Sequence, residues 1–143
     1  MRILCYGDSD TYGHDPRSPL GKPYPPDVRW TDRLARATGW EVLNAGLNGR
    51  EIPHLPGELR DAEALFAAAS PFDQAVVFLG SNDMMQGLSA QEVAARMEAF
   101  LGRLTAYPLL LLTPVPMVSG TWVTEERLVT ESAKLAGYYK ALA

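Results

Sequence analysis

Ala75-Val76-Val77-Phe78-Leu79, followed at once by Gly80-Ser81-Asn82-Asp83, is the stretch that decides the fold. Five consecutive apolar residues match a strand buried on both faces, not one with a solvated side. Strands of that kind belong to parallel sheets covered by helices. Working outward, Ile3 to Tyr6, Glu41 to Asn44 and Leu109 to Leu112 read as three further short strands. Between them lie helical patterns. Asp27 to Thr38 places Trp30, Leu34 and Ala37 on one face, and Leu55 to Ala69 is Ala-rich and stopped by Ser70-Pro71. Ser89-Ala90-Gln91-Glu92 is a capping box, and it opens a helix with Val93, Met97, Phe100, Leu101 and Leu104 inward. Thr124 to Leu142 reads as a last helix with Leu128, Leu135, Tyr138 and Leu142 toward the core. Strand–helix alternation implies right-handed parallel crossovers, hence a doubly wound, flavodoxin-like three-layer α/β/α fold. Residues 1–143 form one domain. Pro16 to Pro26, with five prolines, reads as a surface loop.

In such sheets ligands bind beyond the carboxyl ends of the strands. Four polar segments fall there: Gly7-Asp8-Ser9-Asp10-Thr11, Ala45-Gly46-Leu47-Asn48-Gly49-Arg50, Gly80-Ser81-Asn82-Asp83 and Thr113-Pro114-Val115-Pro116. Ser9, after a strand and a glycine, suits a nucleophile on a tight turn, and equally a turn or capping serine. An acyl-transfer intermediate needs donors aimed at its oxyanion. The Gly46 N–H and the Asn82 amide are of the right type, though each alone also reads as a turn residue. Their coincidence at one sheet edge favours the chemical reading.

These blocks, in this order, resemble the G-D-S-L (SGNH) hydrolases. The run Arg2 to Ser9 with Thr11-Tyr12-Gly13, Asp27-Val28-Arg29-Trp30 and Gly46-Leu47-Asn48-Gly49-Arg50 is most similar to the arylesterase and acyltransferase branch. The resemblance implies a serine esterase that cleaves or transfers small acyl groups through a Ser9 acyl-enzyme. The Ser9 and Gly46 N–H groups and the Asn82 side chain would form the oxyanion hole. No cofactor or metal would be needed. The partner would be a small-molecule ester, and the resemblance leaves room for a homo-oligomer.

Two departures stand out. Asp10 replaces the family's leucine and brings charge near the site. The family's D-x-x-H block follows a fifth strand, and neither is found in these residues. The expectation is therefore a C-terminally incomplete domain, its last strand and helix missing. Its catalytic His/Asp block would lie outside the chain, and Leu109 to Leu112 would form an unpaired edge. His14 and His54 are the only histidines. His14 is the nearer in sequence and is expected as a pocket wall, with Asp10, Met117 and Trp122 as further pocket candidates.

A rival enzyme reading comes from Asp8-Ser9-Asp10-Thr11. It resembles the D-x-D-x-T motif of haloacid-dehalogenase-type phosphatases, with Asp8 as nucleophile, Asp10 as acid/base, Mg²⁺ as counter-charge and Thr113 on the phosphate. Gly7 stands where that family keeps an apolar residue, and no acidic pair follows a later strand. A third reading is a non-catalytic pseudo-enzyme.

Composition narrows the classes. The 143 residues are 47% hydrophobic and 21% charged, with net charge −4. That is a globular domain without the basic surplus of a nucleic-acid binder or the basic runs that seek anionic membranes. Neither partner is expected. The single cysteine, Cys5, excludes an internal disulfide or a CxxC site and reads as a small buried apolar residue. No signal-peptide pattern or spanning run is present, so a cytoplasmic location is expected.

Overall fold

A computed structural model of the chain describes residues 1–143. The elements are β1 (Arg2–Gly7), α1 (Ser9–Tyr12), α2 (Trp30–Thr38), β2 (Glu41–Gly46), α3 (Pro56–Ala69), β3 (Gln74–Phe78), α4 (Ser81–Met85), α5 (Ala90–Leu101), β4 (Leu109–Leu112) and α6 (Glu126–Lys140). All strand pairs are parallel, in the order β2-β1-β3-β4. The order reverses at β1, so β1 and β3 diverge to opposite neighbours and a crevice opens above them. Gly7 pairs with Gly46 on one side and with Phe78 on the other. That register brings the segments after three strands to one edge.

The two faces of the sheet are unequal. Leu4, Tyr6, Ala75 and Val77 join a core of 18 buried residues that includes Phe66 of α3, Phe100 of α5 and Leu135 of α6. The opposite face buries only Ile3, Cys5 and Val76, with Trp30, Trp40, Val42 and Leu112 packed against them. Cys5 is fully buried, as expected.

Three helical details differ from the sequence reading. α2 begins at Trp30, not Asp27, because residues 26–28 form turns. Ala37 is exposed, and Thr31 is the buried residue of α2, since the thin face leaves little to pack against. In α6 the buried line is Leu128, Ser132, Leu135 and Tyr139. Tyr138 points outward at 38% exposure. A polar residue, Ser132, occupies the core line: it accepts the Met117 N–H at 2.8 Å and donates to the Val129 carbonyl. Tyr139 donates its hydroxyl to the Leu79 carbonyl at 2.9 Å. Two short helices, α1 and α4, are too brief to show periodicity.

β4 pairs with β3 alone, and Leu110 on it is 49% exposed, in keeping with the expected apolar edge.

Candidate active site

The nucleophile turn is built by crowding. A side chain on Gly7 would meet Thr11 Oγ1 at 2.1 Å and the Phe78 carbonyl at 2.8 Å, so only glycine lets β1 turn directly into α1. Asp8 caps α1 by accepting the Asp10 N–H at 3.0 Å. Its carboxyl is 3% exposed, and burial pushes it up to about 6. Gly13, at φ +82°, ends the helix, and the Gly13 and His14 N–H groups both return to the Ser9 carbonyl, at 2.8 and 3.0 Å. Ser9 thus sits half-buried at the start of a fixed single turn.

The second segment is locked to the first. A side chain on Gly46 would lie 2.1 Å from the Tyr12 nitrogen, so α1 rests on bare backbone here. The Gly46 N–H donates to Asn44 Oδ1 at 2.9 Å. Asn44 Nδ2 in turn donates to the Thr11 carbonyl at 2.6 Å and to Thr31 Oγ1 at 2.9 Å. Beyond Gly46, Leu47 N–H bonds the Gly7 carbonyl at 3.1 Å, and Arg50 N–H closes a turn on the Leu47 carbonyl at 3.1 Å. Gly49, at φ +76°, supplies the left-handed third position of that turn. The Gly49 N–H has no acceptor in the chain.

The third segment follows Gly80, whose φ of +132° few other residues adopt. Asn82 Nδ2 donates to the Arg50 carbonyl at 3.0 Å. Because a carbonyl only accepts, this bond fixes which way the amide faces and leaves its second N–H free. Next to it, Asp83 is fully buried, accepting Ile52 N–H at 3.1 Å and Arg96 Nη1 at 2.8 Å. Burial raises the Asp83 carboxyl, with the Ile52 N–H and the Arg96 guanidinium opposing the shift. Arg96 also reaches Glu51 at 3.1 Å, so α5 anchors the 50–52 segment that Asn82 leans on.

Two cavities matter for placement. One of about 270 Å³ adjoins this edge, lined among others by Tyr6, Gly49, Arg50 and Glu58. A larger groove of about 560 Å³ runs along the β4 edge between α5 and α6 and contains no candidate catalytic residue.

A family model described as "GDSL-like Lipase/Acylhydrolase family" matches residues 5–143. The chain belongs to this GDSL-like acylhydrolase family. Among solved structures, the aryl esterase of M. smegmatis is 28% identical with a TM-score of 0.83, covering 99% of this chain and 79% of that one. A carbohydrate acetylesterase from Sinorhizobium meliloti is 26% identical with a TM-score of 0.81, covering 100% and 80%. A lipolytic G-D-S-L protein from Veillonella parvula, 19% identical at a TM-score of 0.77, shares the fold. No curated protein matches.

In this GDSL-like domain the structure gathers Ser9, the turn after Gly46 and Asn82 at one edge. Gly46 itself needs correction: its N–H is engaged by Asn44, so its task is close packing against α1. Gly49 and Arg50 lie in the same block as Gly46, and the sequence alone gives neither a separate role. The signal was glycine at the third position of a turn just past a strand. The ring hydrogen bonds of both histidines go elsewhere than to Ser9. His14 Nδ1 lies 3.5 Å from Asn48 Nδ2, and His54 Nδ1 lies 3.0 Å from the Ile52 carbonyl and 3.4 Å from Glu58. Asp10 is exposed, and its carbonyl accepts Trp30 Nε1 at 3.1 Å. Met117 and Trp122 line neither main cavity: Met117 packs partly into the core, and Trp122 is 79% exposed. For the phosphatase reading, no three His, Cys, Asp or Glu side chains gather as a metal site requires, and the family match lies elsewhere. No helix is long and apolar enough to cross a membrane.

Proposed function

We propose that Ser9 is the nucleophile of a serine ester hydrolase acting on small acyl esters. The observation that carries this reading is the Asn82 amide. One of its N–H groups is fixed on the Arg50 carbonyl, which leaves the other at the edge where the Ser9 turn lies. In the reaction Ser9 Oγ adds to the ester carbonyl, and the oxygen becomes an oxyanion. The free Asn82 N–H, the Ser9 N–H and the Gly49 N–H are the donors for that charge, with Gly49 in place of Gly46. Glycine leaves the approach open, since nothing lies within 4 Å of where its Cβ would be. Collapse expels the alcohol, which carries away the proton lost by Ser9 Oγ, and leaves Ser9 acylated. Water then releases the acid, or a second alcohol takes the acyl group. The aryl esterase and carbohydrate acetylesterase among the similar structures support small acyl groups as the substrate class.

Neither histidine serves as base in this arrangement. Loss of a triad serine or histidine costs on the order of 10⁶ in turnover, and an oxyanion hole with binding alone retains about 10³–10⁴ over water. These 143 residues are therefore expected to hydrolyse p-nitrophenyl acetate slowly, and added imidazole, standing in for the base, is expected to accelerate the wild type beyond Ser9→Ala. Equal protein-dependent rates of wild type and Ser9→Ala in imidazole would overturn the assignment of Ser9.

A further inference from the structure

We propose that Arg50 is the positioning residue of this site: its guanidinium clamps the carboxyl ends of β1 and β2, while its carbonyl sets the rotation of the Asn82 amide. The proposal rests on the serine-esterase reading for its catalytic consequence. Arg50 Nη1 donates to the Gly7 carbonyl at 2.8 Å and, by a short bond, to the Ala45 carbonyl. These residues immediately precede Asp8-Ser9 and Gly46. The guanidinium carbon lies 4.1 Å from the centre of the Tyr6 ring, so the cation rests on an aromatic face. The backbone of the same residue closes the turn carrying Gly49 and receives the Asn82 amide. One residue thereby touches all three blocks.

The environment of Arg50 is unusual for an arginine. It is half-buried, and none of the nine ion pairs of the chain includes it. Burying a guanidinium without a carboxylate is unfavourable unless its hydrogen bonds are well made. The sheet does not require the clamp: Gly7 and Gly46 are already ladder partners. The clamp acts where the ladder ends and the chains diverge into the site, so its effect falls on the turns and not on the strands. Arg50 Nη1 reaches both carbonyls while the guanidinium rests over Tyr6, and an aromatic face suits a weakly hydrated guanidinium better than a compact, strongly hydrated ammonium.

The test uses Arg50→Ala and Arg50→Lys in the 143-residue chain, with two readouts. The first is NMR of the Asn82 side-chain amide and the Gly49 backbone amide. In Arg50→Ala the Asn82 amide is expected to move toward a free, fast-exchanging position and the Gly49 amide, already without an acceptor, to shift and broaden, while the amides of β1 and β3 stay in place. Unchanged Asn82 and Gly49 signals would overturn the proposal whether or not the chain hydrolyses esters. The second readout is Ser9-dependent turnover of p-nitrophenyl acetate in imidazole. In Arg50→Ala kcat is expected to fall on the order of 10²-fold, as for misplaced reacting groups. KM should stay within about threefold, since the lost interaction acts in the transition state. Millimolar methylguanidinium is expected to restore part of kcat to Arg50→Ala, and Arg50→Lys to recover little of it. A KM-only effect, or full activity in either variant, also overturns the proposal. If wild type and Ser9→Ala turn over equally in imidazole, the esterase reading fails, and the NMR readout alone decides whether Arg50 positions these groups. If Arg50→Ala does not fold, Arg50→Lys carries both readouts.

Discussion

Asp8 is the residue whose protonation the fold changes most usefully. Its carboxyl titrates near 3.8 when exposed and is pushed up to about 6 in the folded chain. The folded state therefore holds a proton that the unfolded state has released. The stability from this buried acid is complete below the unfolded value and is lost as pH rises through about 6. Two units correspond to about 3 kcal/mol. The stability of wild type relative to Asp8→Asn is expected to fall by about that amount between pH 4 and pH 8, read by urea unfolding. Parallel pH profiles for the two proteins would refute this. Gly46 is the other decisive single residue. In Gly46→Ala the new methyl would lie 2.1 Å from the Tyr12 backbone nitrogen, and backbone cannot swing aside. A loss of at least about 2 kcal/mol is expected from such overpacking, visible as a lowered melting temperature.

At the scale of elements, the sheet edge is held by ties between helices and turns. The Asp83–Arg96 pair joins α4 to α5 and, through Ile52 N–H and Glu51, fixes the segment behind Asn82. Arg96→Met would leave the fully buried Asp83 without its cation. Breaking a buried pair from one side costs about 3–5 kcal/mol, part of it recovered here because Asp83 can take up a proton. Arg96→Met is accordingly expected to be less damaging at pH 5 than at pH 8, and chemical denaturation at both values tests it. The helices themselves were largely legible from spacing: α3, α5 and the inward residues Val93, Met97 and Phe100 follow their pattern. α6 departs from its apolar pattern because the core line passes through Ser132, whose hydroxyl donates to the Val129 carbonyl within the helix and accepts the Met117 N–H from the 113–125 loop folded over it.

Across the whole molecule, the unequal faces are the main physical feature. Three long helices cover one face, and α2 alone lies on the other. Leu110 on edge strand β4 is consequently half-exposed. Exposed apolar edge strands favour self-association. Leu110→Lys is expected to change unfolding free energy by no more than about 0.5 kcal/mol, as for surface changes. It should also lower light scattering at high protein concentration. Unchanged scattering would show that this edge is not a sticky surface.

The strand at Ala75–Leu79, the parallel α/β class and the placement of Ser9 and Asn82 beyond strand ends were determined by the sequence alone. Apolar runs and helical spacing are local properties, and the strand-end rule follows from topology. What the sequence could not decide was which donors remain free. The Gly46 N–H is engaged by Asn44, the Gly49 N–H is not, and Asn82 is oriented by the Arg50 carbonyl. Arg50 stands in sequence only as the last residue of the Gly46–Arg50 block, with no role of its own. Its grip on the Gly7 carbonyl exists only once β1 and β2 lie side by side, because hydrogen-bond partners 43 residues apart are chosen by tertiary packing and not by neighbours along the chain.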